Sequence, residues 1–231
     1  MKMLVDLQKI FASDDKVNSF SKYDNQVGLW FIKAVIIWWR FFYVFIIFIL
    51  VKNMLHMFPE LITKRLLLRK IIPSDQSAIF KGLSDPAVTK YYGVSYNSFE
   101  AAAEQMKFYD DLLKDDTGIW WAVCLREQPA DMIGACGFNY VNRQHKKMEI
   151  GYWLLPAYFG KGIMTEAVPP IIKYAFSSMD IHRIEAVVET GNDDSSKLLK
   201  KLNFTYEGTL ADSEIKNGKF ISLQYWALLN R

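Results

Sequence analysis

From residue 65 onward, short apolar runs alternate with longer stretches whose apolar positions recur every three or four residues. "RLLLRKI" (65–71) reads as a strand, and residues 73–85 as a helix opened by Pro73, Ser74 and Asp75. Residues 98–116, "SFEAAAEQMKFYDDLLKDD", read as a second helix with Ser98 as its N-cap. "IWWAVCLRE" (119–127) and "DMIGACGFN" (131–139) form a predicted hairpin turning around Gln128-Pro129. Then come a strand "MEIGYWLL" (148–155), a helix (161–177), a strand "RIEAVVE" (183–189), a helix (193–202) and closing strands near 204–210 and 219–229. Strand, glycine turn, helix and strand make a βαβ unit inside a mixed sheet, so the fold class is mixed α/β. Pro169-Pro170 falls inside the helix at 161–177, where two lost N–H donors and ring clashes predict a kink or a restart.

Residues 1–56 follow a different pattern. Ala34 to Val51 are eighteen residues with one charge, Arg40, just enough to cross a bilayer as a helix. Thirteen of them are Ile, Leu, Val or Phe, each worth roughly −0.3 to −0.6 kcal/mol on insertion. Together they outweigh the roughly 2.5–3.5 kcal/mol that Arg40 costs near the centre. The hydrophobic helix (about 29–51) is therefore expected to be a membrane anchor. Lys52, Lys64, Arg65, Arg69 and Lys70 follow it, which keeps the C-terminal part on the cytoplasmic side by the positive-inside rule. Two other readings stay open: Met57 is the natural start and residues 1–56 a mis-called gene start, or the segment is a buried hairpin or partner helix. In each, the domain boundary lies at 56/57.

Charge sharpens the division. Residues 1–56 carry seven Lys/Arg against four Asp/Glu, and residues 57–231 carry 21 of each, so the net +3 resides in the extension. A neutral C-terminal part gives no electrostatic case for nucleic-acid binding. Cys124 and Cys136 are the only cysteines, both in strand-like apolar runs, and are read as core residues. His56, His145 and His182 lack the spacing of a zinc site, so no metal is expected.

The candidate chemistry begins at "AYFGKGIMTEA" (157–167), where Gly160 and Gly162 lead into a helix. Bare backbone before a helix start, with its unpaired amides and positive dipole end, suits a phosphate. The stretch is neither a Walker A loop nor a Rossmann fingerprint. With its flanks it resembles the GNAT N-acetyltransferases, and among them the RimJ/RimL-type branch. The resemblance rests on Glu149-Ile150-Gly151-Tyr152-Trp153, Gly160-Lys161-Gly162, Thr165-Glu166-Ala167, Asn192 with Ser195, and Phe204 with Glu207-Gly208. "PELITKRLLLRKI" (59–71) looks like that branch's first strand, and the likeness spans about residues 57–231. Ala157 and Phe159 depart from the family's usual loop residues, but its backbone amides do the binding.

The resemblance implies a GNAT fold: a mostly antiparallel mixed sheet splayed at its fourth strand, with flanking helices. It implies an acetyl-CoA-dependent transfer to a primary amine, most simply a protein N-terminus, with a small amine such as a polyamine as the alternative. A tethered, non-catalytic acetyl-CoA-binding module is the reading from another class. By the resemblance, Phe159, Gly160, Lys161, Gly162, Ile163, Met164 and Thr165 would hold the coenzyme's pyrophosphate, and Asn192 its pantetheine arm. A backbone amide of Leu154 or Leu155 would meet the developing oxyanion where the strand bulges. Ser195 would return a proton to the thiolate, and Glu214, nineteen residues on, would deprotonate the amine. Glu149 and Glu166 are fallback bases, each with a structural reading of its own. An Asn192 that caps a helix is equally in keeping with its place after Gly191.

Overall fold

The computed structural model describes residues 58–231, together with Trp38, Trp39, Phe42 and Tyr43, which are helical. The chain divides into two compact units, Met1–Met57 and Phe58–Arg231. The rest of the expected membrane helix lies outside the described residues. Among the described residues, no helix is long and apolar enough to cross a membrane.

The second unit is built on one eight-stranded sheet: β1 (Leu61–Ile62), β2 (Leu66–Lys70), β3 (Ile119–Leu125), β4 (Gln128–Asn142), β5 (Lys147–Leu154), β6 (Arg183–Glu189), β7 (Thr205–Lys216) and β8 (Lys219–Leu229). Their order is β1-β2-β3-β4-β5-β6-β8-β7. Every neighbouring pair is antiparallel except β5 and β6, the parallel pair that the βαβ reading requires. Helices α1 (Gln76–Leu83), α2 (Pro86–Thr89) and α3 (Ala103–Lys114) precede β3, α4 (Ile163–Ser178) joins β5 to β6, and α5 (Asp193–Lys201) follows β6.

Two-residue alternation on β3 explains why both faces are covered. Ile119, Trp121 and Val123 join α4 and α5 in one apolar cluster with Ile163, Val168, Ile171 and Leu199. Trp120, Ala122 and Cys124 join a second cluster with Ile79, Leu83, Tyr109 and Leu112 from α1 and α3. Both cysteines are free and fully buried. Burial pushes the Cys124 thiol up to about 11 against the pull of nearby Arg69, and raises Cys136 further. Neither is a thiolate at neutral pH, in keeping with the core reading.

Several local expectations shift. The helix assigned to 98–116 begins at Ala103 with Ala102 as N-cap, while the Ser98 hydroxyl accepts from the Ala101 amide in the turn ahead of it. The β3–β4 hairpin turns at Arg126 and Glu127, and Gln128-Pro129 already belong to β4. Asp75 does more than open a helix. Its carboxylate takes the Ile72 amide at 2.8 Å and is held by two nitrogens of Arg69 at 2.7 and 2.8 Å, so its burial is compensated. Pro169 and Pro170 sit inside an unbroken α4, neither ending nor restarting it. Pro169 is exposed and Pro170 half-buried, away from the fully buried side of α4. The carbonyls deprived of partners there do not have to be sealed in the core.

Candidate active site

The parallel pair β5–β6 is joined at only three positions, Lys147 with Arg183, Met148 with Ile184 and Glu149 with Glu185. Beyond Glu149 the strands part, β5 running on to Leu154 and β6 to Glu189. Ion pairs pin the closed end: Lys147 to Glu185 at 3.1 Å, and Arg183 to Glu185 at 2.8 Å and to Glu207. The result is a fork in the sheet, and the candidate residues gather around it.

At its mouth, β5 passes through a short 3-10 turn (Pro156–Tyr158) into the glycine loop and α4. Gly160 and Gly162 have φ of 70° and 71°, the left-handed conformation that glycine adopts without cost. The backbone amides of Gly160, Lys161, Gly162, Ile163, Met164 and Thr165 take no partner among the described residues. An unpaired run of amides at a helix N-terminus is an anion cradle. Phe159 differs, because its amide donates to the Pro156 carbonyl at 3.1 Å and only its ring and carbonyl can face a ligand.

Strand alternation sorts the two leucines. The Leu155 amide donates to the Ile133 carbonyl at 2.9 Å, back across the β4–β5 ladder. The Leu154 amide therefore faces the opposite way, into the fork. The pairing of Gly134 with Leu154 is regular, and the register shift in this ladder falls at Asn139–Asn142, where Tyr140 has φ of 53°. The amide at Leu154 is opened by the parting of β5 from β6 and not by a bulge at that point.

Across the fork, Asn192 is the N-cap of α5, and its side-chain oxygen accepts from the Ser195 amide at 3.3 Å. The Ser195 hydroxyl lies 2.5 Å from the Tyr152 hydroxyl. That bond ties β5 to α5 across the opening. Burial pushes the Tyr152 phenol up to about 12, with the Ser195 bond pulling the other way, so Tyr152 remains protonated at neutral pH. In the sequence Tyr152 stands out only as part of the Glu149–Trp153 motif, with no site role. Its place two residues from both Ile150 and Leu154 puts it on the α4–α5 face, which was the available signal.

Glu214 lies on β7 where the β7–β8 register jumps between Leu210 and Glu214, and it is exposed. Its neighbour in charge is Glu149. Burial raises the Glu149 carboxyl, and the charges of Glu185 and Glu214 raise it further, against the pull of Lys147. No hydrogen bond joins Ser195 to Glu214 among the described residues; the partner of Ser195 is Tyr152. Glu166 is drawn away from catalysis, with its carboxylate bound by Thr63 and Arg65. Among the described residues, no three His, Cys, Asp or Glu side chains group as metal ligands.

A model of the acetyltransferase (GNAT) domain matches residues 65–205. The uncharacterized N-acetyltransferase YoaA of Bacillus subtilis (strain 168) is 37% identical over 163 residues, 70% of this chain and 92% of that protein. A solved structure of RimL, a ribosomal L7/L12 alpha-N-protein acetyltransferase in complex with coenzyme A, matches with a TM-score of 0.66 and 22% identity over 73% of this chain and 96% of that one. Spermidine N-acetyltransferase from Vibrio cholerae, in complex with CoA and spermine, matches with a TM-score of 0.64 and 21% identity over 72% and 96%. At such identities these two structures bear on the fold alone.

Proposed function

This chain belongs to the GNAT acetyltransferases, in a RimJ/RimL-like relation, and from that premise we propose that it moves the acetyl group of acetyl-CoA directly onto a protein N-terminal amine. The observation that carries the coenzyme half is the run of unpartnered amides from Gly160 to Thr165 at the start of α4. Main-chain donors at a helix N-terminus suit a diphosphate, because they need no charged side chain and the dipole adds to the attraction. Asn192, with its oxygen committed to the cap, keeps its side-chain N–H groups for the pantetheine arm.

Direct transfer needs a deprotonated amine, a stabilised oxyanion and a proton for the departing thiolate. Glu214 takes the proton of the ammonium, through a water where the reach requires one. The Leu154 amide meets the carbonyl oxygen as it becomes anionic. Ser195 gives its proton toward the sulfur while Tyr152 holds its oxygen, so the hydroxyl hydrogen is free to point into the fork. The bond to the amine nitrogen forms as the carbon–sulfur bond breaks, and no covalent enzyme intermediate is involved. Glu149, half-buried and raised, is the alternative base. The spacing of Ser195 and Glu214, nineteen residues apart as in RimL-like enzymes, supports the acceptor assignment.

Coenzyme release is the test, with peptides bearing free N-termini run against spermidine and spermine as acceptors. Acetylation of peptide N-termini is the expected outcome. Turnover with polyamines alone would overturn the acceptor, and failure to bind CoA would overturn the whole reading.

A further inference from the structure

One side chain holds the glycine loop from outside without any part in the transfer chemistry. Arg65, in the lead-in to β2, donates from one terminal nitrogen to the Lys161 carbonyl at 3.1 Å and from the other to the Gly162 carbonyl at 3.3 Å. Its Nε and its own backbone amide donate to Glu166 at 2.6 and 2.7 Å, and the Thr63 hydroxyl joins the same carboxylate at 2.6 Å. Burial works to raise the Glu166 carboxyl, but these donors outweigh it and hold the group below its ordinary value. The Arg65 side chain is 45% exposed, so the ion pair by itself is worth little as stability. Nor does it bring much net charge to the loop, because Glu166 balances it.

What the arrangement fixes is direction. A peptide unit is planar and trans, so its C=O and N–H point opposite ways. The Lys161 carbonyl shares its peptide with the Gly162 amide, and the Gly162 carbonyl shares its own with the Ile163 amide. Anchoring both carbonyls on one guanidinium turns both amides to the other side. The Gly162 carbonyl also accepts from the Glu166 amide at 3.2 Å, the first bond of α4, so the aim is keyed to the helix axis.

We propose that Arg65, buttressed by Glu166 and Thr63, is a positioning residue that aims the Gly162 and Ile163 amides at the donor's diphosphate. This rests on the acetyl-CoA reading above. A planar fork is needed to grip two carbonyls and a carboxylate at once, and a lysine cannot replace it.

The test uses the full chain with Arg65→Gln, Arg65→Lys and Glu166→Gln, each checked for folding by thermal melts. CoA affinity is measured by calorimetry, and kcat/KM is compared for acetyl-CoA and for acetyl-pantetheine, which lacks the diphosphate. The Kd for CoA is expected to rise about tenfold in both Arg65 variants, and the preference for acetyl-CoA over acetyl-pantetheine to fall by a similar factor. Glu166→Gln, which keeps the shape, should fall between them and wild type; it carries the test if an Arg65 variant does not fold. An unchanged donor preference would overturn the proposal, and so would equal losses with both donors. Wild-type affinity in Arg65→Lys would mean that charge and not geometry is at work, and would overturn it too. A wild-type chain that does not bind CoA sinks the acetyl-CoA reading together with this one, whereas a wild type that binds, beside variants that bind equally well, sinks this one alone.

Discussion

Replacing Gly162 separates backbone conformation from steric bulk. Its φ of 71° and ψ of 18° place it in the left-handed region. A Cβ added there would meet only an Arg65 nitrogen, at 3.8 Å, which is ordinary contact. The cost is therefore conformational, about 1–2 kcal/mol for an L-residue and more for a β-branched one. That cost has two outlets. If the loop holds its shape, the variant loses stability and binds as before; if it relaxes, the Gly162 and Ile163 amides lose their aim and affinity falls. The loop is exposed and little packed, so relaxation is the expected course. Gly162→Val should weaken CoA binding at least tenfold, about 1.4 kcal/mol. Gly162→Ala should lose less, and Gly162→Asn least, because Asn tolerates this conformation. Calorimetric titration with CoA, with melts run in parallel, reads both outlets. Unchanged affinity in a folded Val variant would remove the loop from the site. Losses that rank with side-chain size, Ala least and Asn above it, would show that bulk, not backbone, is what matters.

Glu214→Gln keeps shape and loses the base, so turnover should fall roughly 10²–10⁴-fold near neutral pH, with the deficit shrinking at higher pH as free amine accumulates. Full turnover across the pH range would pass the base role to Glu149. Ser195→Ala should lower kcat with little change in the Kd for CoA, and a large rise in Kd would make it a binding residue instead. The raised Glu149 carboxyl sets a sign for stability. Its ionisation is easier in the unfolded chain, so wild type loses stability as pH rises above about 4.3, the ordinary glutamate value, through the raised one. Glu149→Gln should therefore melt higher than wild type at pH 8 and show no advantage at pH 4; an advantage independent of pH would refute the assignment. Gly82→Ala should destabilise by about 1–3 kcal/mol despite alanine's better helix propensity. Its Cβ would fall 2.3 Å from the Trp153 ring, whereas at Gly93 a Cβ meets nothing within 4 Å, so Gly93→Ala serves as the control in denaturant titration.

Most strands and helices of residues 65–231 were legible because they are long enough for a period to show, and "RIEAVVE" became β6 to the residue; α2, with four residues, is too short and was missed. The errors cluster where a local signal had more than one structural use. Ser98 carries cap chemistry but serves the turn before α3. Two adjacent prolines predict a kink or a restart, and α4 does not restart, because packing of Ile163, Ala167, Val168, Ile171 and Ala175 on the sheet outweighs what they remove from it. The closing strand was expected to stop near 210, but β7 continues to Lys216 through a register shift that no two-residue alternation reveals. In the site, the glycine loop was readable because its residues are contiguous. The Arg65–Glu166 contact joins residues 101 apart, and the Tyr152–Ser195 contact residues 43 apart. Neither leaves a trace in spacing, and both needed the fold.

On the proposed roles, the fork would also keep acid and base apart. Along β5, Ile150, Tyr152 and Leu154 point to the face of α4 and α5, and Glu149, Gly151 and Trp153 to the face of α1 and α3. Tyr152 meets Ser195 on the first face. On the second, Trp153 donates to the Tyr109 hydroxyl at 3.1 Å, and a Cβ on Gly151 would strike the Trp120 ring at 2.8 Å. The glycine loop and Ser195 thus belong to the side from which a diphosphate and its thioester would arrive, and Glu149 to the other. An intact β5–β6 ladder would wall one side from the other. The pairing ends at Glu149, and in the proposed mechanism the carbonyl carbon would lie between the parted strands, with sulfur toward Ser195 and the amine toward the carboxylates. A carboxylate base beside the leaving sulfur would be opposed by the negative charge that builds there, and opposite faces of one opened sheet avoid this.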